Sequence, residues 1–164
     1  EYFLKAIHLI NNQSLETLLE ELLEAFTLKI GQILQADRTT IFIVDDENQE
    51  LWSKVAQGGE EKAVEIRIPI NKGIAGYVAE TKKTLNIPNA YDDPRFNRAT
   101  DEETGYRTNN ILCMPIFSND VNNVVAVVQL LNKIGGERFT TADEKEFESF
   151  ARSIGVLTER CNSF

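Results

Sequence analysis

The sequence predicts an α+β domain. Its expected centre is an antiparallel sheet of five or six strands, with long terminal helices on one face and two short helices covering a ligand pocket on the other. Three observations lead there. Both ends of the chain carry apolar residues at helical spacing. The middle alternates β-branched runs with polar turns. Two short helical stretches, one rich in small residues, interrupt the strands. One antiparallel sheet with the long terminal helices on one face fits this order.

From Ser14 to Leu34 the apolar positions Leu15, Leu18, Leu19, Leu22, Leu23, Phe26, Ile30, Ile33 and Leu34 form one helical stripe, with Ser14 as expected N-cap. Tyr2 to Ile10 is expected to form a separate amphipathic helix. Arg38 to Asp45 reads as a strand, Asp45 to Glu50 as a turn, and Leu51 to Gln57 as the returning strand, ended by Gly58-Gly59. Val64, Ile66 and Ile68 alternate with Glu65 and Arg67 in a third strand closed by Pro69. Gly73 to Thr81 reads as a short helix, Leu85 to Ile87 as a brief extended piece, and Asn89 to Pro94 as loop. Arg95 to Thr104 reads as a second short helix, stopped by Gly105. Strands are expected at Thr108 to Phe117 and Val124 to Leu131. A final helix begins near Thr140 or Thr141, where Thr141 and Glu144 match a capping box. Phe147, Phe150, Ala151, Ile154 and Leu157 form its buried stripe.

The 164 residues suit one domain over 1–164, with its core at about 14–160 and residues 1–13 as a linker or dimer helix. Both ends fall inside helical patterns, which suggests a piece of a longer protein. A net charge of -9 disfavours a phosphate backbone or an anionic membrane as partner. The longest apolar run, Val124 to Val128, is too short to span a bilayer, and the first residues lack the form of a signal peptide. A cytoplasmic location is therefore the default. Cys113 and Cys161 form no C-x-x-C pair, and with His8 as the one histidine no zinc set is expected. A disulfide is not expected in such a compartment.

Asn132-Lys133, Phe139 and Asp143-Glu144 have the form N-K-x5-F-x3-D-E. This run resembles the N-K-F-D-E signature of GAF domains in cyclic-nucleotide phosphodiesterases and cyanobacterial adenylyl cyclases. Four further stretches extend the resemblance over nearly the whole chain: A-D-R-T-T from Ala36, G-I-A-G-Y-V from Gly73, N-I-P-N-A-Y-D-D-P-R-F-N from Asn86, and T-G-Y-R-T-N-N-I-L-C-M-P-I from Thr104. The resemblance implies the sheet-and-helix sandwich above. It also implies a cyclic nucleotide as allosteric ligand, and an ion pair between Lys133 and Asp143 that joins the last strand to the final helix without touching the ligand.

Gly73 to Gly76 open a helix whose free amides and dipole suit a phosphate. The resemblance assigns that role to the amides of Ile74 and Ala75; close packing by small residues is the competing reading. Arg38 and Thr40 match base-contacting positions. A threonine hydroxyl can serve an adenine edge, and a guanidinium can stack on the base or hydrogen-bond to it. A surface cation and an ordinary strand threonine are the alternative. Asp101, Thr104 and Thr108 match further ligand contacts, Asp101 toward sugar or base; turn chemistry around Gly105 competes for Thr104. Asn97 replaces an aromatic that covers the ligand in several members. Gln129 is a polar residue in an apolar strand and needs a hydrogen-bond partner, which a ligand or the backbone could supply. Ala56 and Gln57 match positions lining the base. Gln57 offers no carboxylate to guanine's N–H edge, which favours cyclic AMP over cyclic GMP.

No catalytic centre is expected. His8 reads as a surface or interface histidine, Cys113 as a small core hydrophobe, and Asp45-Asp46 and Glu60-Glu61 as solvated turn charge. The expected role is a regulatory domain of an adenylyl cyclase or phosphodiesterase, a homodimer through its terminal helices, with no cofactor, metal, nucleic acid or membrane. Two alternatives remain: a ligand-free GAF module for dimerisation and signal transmission, and a GAF sensor of another small molecule. Bilin-binding members need a cysteine near the short helices, and none lies between Glu1 and Leu112; redox-sensing members need a cysteine cluster, which is also missing.

Overall fold

A computed structural model describes residues 2–56, 63–118, 122–136 and 138–162. The elements are α1 (Tyr2–Ile33), β1 (Ala36–Asp45), β2 (Glu50–Ala56), β3 (Ala63–Pro69), α2 (Gly73–Thr81) and β4 (Leu85–Ile87). A 3-10 turn (Ala90–Asp92), α3 (Ala99–Thr104), β5 (Ile111–Phe117), β6 (Val124–Lys133) and α4 (Thr141–Asn162) complete the order. The six strands form one antiparallel sheet in the order β3-β2-β1-β6-β5-β4. This is the α+β architecture expected from the sequence, with six strands.

Strand alternation splits the core into two layers. Ile41, Leu112, Met114, Ile116, Ala126, Val128 and Leu130 face Leu23, Ile30 and Leu34 of the α1 side and Phe147 and Ala151 of α4. Phe42, Ile111, Cys113 and Val127 face the opposite way, toward Ile74, Ala75, Val78 and Ala79 of α2 and Ala90 of the 3-10 turn. The central strands are covered on both faces, which is why Ile111 to Phe117 reads as an unbroken apolar run. On the α1 side the approach is close: a Cβ on Gly31 would run into the Thr39 hydroxyl.

The strands β1, β2 and β6 differ from the sequence reading by one or two residues at an end, and five further departures have a clear physical cause. The helix α1 is continuous through residues 11–13, so Ser14 is interior and not a cap. The Asn-Asn-Gln there contains no Gly or Pro, and extending a helix costs less than nucleating a second one. The loop before α3 contains the 3-10 turn, Ala90–Asp92. The helix α3 starts at Ala99, not Arg95. Residues 93–99 are instead held by local side-chain bonds that compete with helix: Asp93 Oδ1 accepts from the Arg95 amide and Nε at 2.9 Å, and Asn97 Oδ1 accepts from the Ala99 amide at 2.9 Å. β5 begins at Ile111, not Thr108, because the amides of residues 108–110 bond to side chains of Asp101 and Asn132. Finally, the capping box is one residue early. The Thr140 amide donates to Asp143 Oδ2 at 2.8 Å, and the Asp143 amide donates to Thr140 Oγ1 at 3.1 Å. Asp143 takes the place expected of Glu144 because its carboxylate also meets Lys133.

That meeting fixes the terminal helices. Lys133 Nζ lies 3.2 Å from the Asp143 carboxylate and donates to the Leu34 carbonyl at 2.7 Å, just past the end of α1. The Phe139 ring, fully buried, lies 5.8 Å from the ammonium. Both charges are mostly shielded, at 16% and 12% side-chain exposure, so an unpaired partner would be costly. Gly58-Gly59 and Gln57 lie outside the described residues, as do the side chains of His8, Ala56, Ile154, Leu157 and Cys161. Among the described residues no helix is long and apolar enough to cross a membrane. We expect Asp143→Ala to lower unfolding stability by about 3 kcal/mol, the scale of orphaning a shielded partner, read from urea denaturation. The pair Lys133→Met with Asp143→Leu should recover part of that loss; no recovery would mean the cap, not the ion pair, carries the effect.

Candidate ligand site

The face of the sheet under α2 is mostly apolar, with buried Ser53 on β2 and one short row across β1, β6 and β5 as polar exceptions. Thr40 on β1 stands opposite Gln129 on β6, which stands opposite Cys113 on β5. Thr40 and Gln129 are half-buried, which sets a hydroxyl and an amide side by side in that row. Cys113 is fully buried, and burial pushes its thiol well above the ordinary value, so it packs as a hydrophobe and is no nucleophile.

The helix α2 lies over this floor. Its N-cap, Lys72, is extended and gives no side-chain bond to the first turn, leaving the leading amides to other acceptors. Ile74 and Ala75 turn their side chains into the core. The two glycines have different reasons. Gly73 has φ +70, which favours glycine, and open space around its Cα. Gly76 is a matter of packing, since a Cβ would sit 3.0 Å from the Asn71 amide nitrogen.

Above the ends of β1 and β6 lies a polar lid formed by the 3-10 turn, α3 and residues 105–110. Asp101 is its centre. It is buried and accepts three bonds: from the Thr108 amide and the Thr108 hydroxyl at 2.8 Å each, and from the Tyr91 hydroxyl at 2.7 Å. Burial alone would raise its carboxyl; the Thr108 amide, then the two hydroxyls, outweigh burial and hold it below the ordinary carboxylate value. The same bond raises the Tyr91 hydroxyl. Arg107 and Arg98 stack on the Tyr91 ring, 3.8 Å and 4.8 Å from its centroid. Thr104 is exposed; its hydroxyl donates to the Thr100 carbonyl and accepts from the Tyr106 amide, the turn chemistry that accompanies Gly105 at φ +76. Asn97, also exposed, precedes α3 and accepts from the Ala99 amide.

A second hub is Asn132. It adopts φ +59, and its Oδ1 accepts from the Asn109 and Asn110 amides at 2.7 Å and 3.2 Å. Its Nδ2 donates to the Tyr106 hydroxyl and the Arg107 carbonyl, both at 2.8 Å. The structure pairs Thr40 with Gln129 on the floor, pairs Asp101 with Thr108 in the lid, and sets the Arg38 guanidinium against the Tyr106 ring. Tyr91, Tyr106 and the bonds of Asn132 were not singled out by the sequence reading. The only signal for them was two tyrosines in polar loops beside arginine and asparagine. Among the described residues no group of three or more His, Cys, Asp or Glu could hold a metal ion.

A family model described as "GAF domain" matches residues 18–157. The chain belongs to the GAF family. It is 44% identical over 135 residues to "Probable 3',5'-cyclic phosphodiesterase pde-5" of Caenorhabditis elegans, covering 76% of this chain and 18% of that relative. This GAF domain thus spans less than a fifth of that protein's length. Among solved structures, the GAF domain from a phosphoenolpyruvate-protein phosphotransferase of Coxiella burnetii has a TM-score of 0.74 at 20% identity, covering 94% of each chain. The free methionine-R-sulfoxide reductase of Neisseria meningitidis, solved with its substrate, has a TM-score of 0.66 at 16% identity, covering 84% of this chain and 75% of that one. These likenesses establish the fold alone.

The depressed Asp101 value has a signed consequence. Its ordinary value is 3.8, and with a lower value when folded the unfolded chain binds more protons in acid. The stabilisation from Asp101 is complete above that value and is lost as pH falls through the lowered one. Asp101→Asn should therefore flatten, without abolishing, the fall in urea-derived stability between about pH 5 and pH 2, Asp45 and Asp93 being depressed too. An unchanged acid limb would contradict the network.

Proposed function

We propose that this GAF domain is a sensory module that binds a 3′,5′-cyclic purine nucleotide between the sheet and the layer of α2, the 3-10 turn and α3. The observation that carries the reading is the 44% identity over 135 residues to a protein named as a 3',5'-cyclic phosphodiesterase. The site chemistry supports it. The uncapped first turn of α2, with the Ile74 and Ala75 amides, suits the cyclic phosphate. Thr40 and Gln129 on the floor, with Arg38 at the rim, suit the base, together with Ala56 and Gln57. Thr104, Thr108, Asn97 and Asp101 belong to the lid, where Asp101 acts by holding Thr108 and Tyr91. Gln57, on which the preference for cyclic AMP rests, lies outside the described residues, so cyclic AMP and cyclic GMP both enter the proposal.

The attached catalytic domain would be a phosphodiesterase, the class named for that relative, with an adenylyl cyclase as the second reading. Ligand binding would bias the lid toward one arrangement, and the terminal helices, paired with those of a second copy, would pass that bias on. Exposed Leu18, Leu28 and Ile33 on α1 support such pairing. The domain itself would carry no catalysis.

Calorimetric titration and thermal shift with cyclic AMP, cyclic GMP and AMP test the reading. The expected result is saturable heat and a raised melting temperature with at least one cyclic nucleotide and none with AMP. Silence from both cyclic nucleotides would overturn it.

A further inference from the structure

We propose that Tyr106 is a positioning residue for nucleotide selectivity: its ring fixes the plane of the Arg38 guanidinium, and that guanidinium reads the purine edge. This rests on the cyclic-nucleotide reading of the site. Arg38 alternates with Thr40 and Phe42 along β1, which puts it on the ligand side of the sheet at the rim of the site. Its Cζ lies 3.8 Å from the Tyr106 ring centroid. Among the described residues no carboxylate forms an ion pair with it.

An exposed arginine stacked on a ring is ordinary; what differs here is that the ring is held at its hydroxyl from two sides. The Tyr106 hydroxyl donates to Asp37 Oδ2 at 2.7 Å and accepts from Asn132 Nδ2 at 2.8 Å. Burial and the Asp37 bond push that hydroxyl up to about 12, so it stays a protonated donor across the physiological range. Asn132 is in turn fixed by its bonds to residues 107, 109 and 110. A guanidinium with one face on a fixed ring keeps its other face and its fork of N–H donors open, in a set plane.

A guanidinium only donates. Guanine presents two adjacent acceptors, O6 and N7, to such a fork; adenine presents N7 beside an amino donor, which the fork cannot accept. Loosening the platform should therefore cost cyclic GMP more than cyclic AMP. Tyr106 would act through Arg38 and not touch the nucleotide.

The test is a titration cycle on the whole chain with cyclic GMP and cyclic AMP. Tyr106→Leu should shift the ratio of the two dissociation constants against cyclic GMP by about two- to fivefold, the size of an exposed cation–π contact. Arg38→Lys, which keeps the charge and loses the planar fork, should shift it equally. The double variant should go no further than either single one. Tyr106→Phe keeps the ring, loses both hydroxyl anchors, and should fall between wild type and Tyr106→Leu. Equal weakening of both nucleotides by Tyr106→Leu, or additive effects in the double variant, would overturn the proposal and leave Tyr106 a structural residue. If Tyr106→Leu does not fold, Tyr106→Phe with Arg38→Lys completes the same cycle, with additivity as the contrary result. A wild-type chain that binds neither nucleotide would overturn the cyclic-nucleotide reading itself, and the role of Tyr106 with it.

Discussion

Lys133 holds three elements at one point. Its ammonium meets the Asp143 carboxylate at the start of α4 and the Leu34 carbonyl beyond α1, while its backbone ends β6. Two long helices, far apart in sequence, are thereby pinned to one strand end. The ion pair is a constraint more than a source of stability, since desolvating two charges offsets much of their attraction. Its consequence is geometric. One end of each helix is tied to the end of β6, and that end carries Asn132.

Asn132 joins this pinned end to the lid. Its left-handed backbone turns the chain, and its amide organises residues 106–110 with four hydrogen bonds. A left-handed residue without glycine is uncommon, and asparagine is among the side chains that tolerate it best. Adjacent residues thus face two ways: Asn132 toward the ligand-side loops, Lys133 toward the terminal helices. A change in lid order at one end has a short, hydrogen-bonded route to the other. The floor below is less adaptable, because β5 and β6 are packed on both faces.

The fold was legible because each layer leaves a periodic trace. Period-two alternation in β1 to β3, the buried run of β5, and helical stripes at both ends suffice to specify the sandwich. The first helix of the ligand side, α2, was readable to its ends, since glycine begins it and small residues pack it. The lid was read poorly. Asp93, Asn97, Asp101 and Asn132 each take backbone amides that a helix or strand would otherwise use, and such side-chain bonds leave no period in the sequence. The same blindness applied to Thr140 and Asp143: two adjacent threonines, each three residues before an acid, fit one capping pattern. Only the position of Lys133 decides between them. For the candidate site, residue types pointed to Thr40 and Gln129, but Tyr91 and Tyr106 belong to contacts between loops that spacing does not reveal.

A fold hosts many chemistries, and the structural neighbours here include a GAF domain of a phosphotransferase and a free methionine-R-sulfoxide reductase. In this chain a polar lid is hydrogen-bonded to the joint that anchors its terminal helices. Hydrogen–deuterium exchange with and without saturating cyclic GMP or cyclic AMP tests that account most directly. It predicts slowed exchange in the first turn of α2 and in residues 101–110, and a linked change in the last turn of α1 and the first turn of α4. Protection confined to the lid, with the helix ends unchanged, would contradict it.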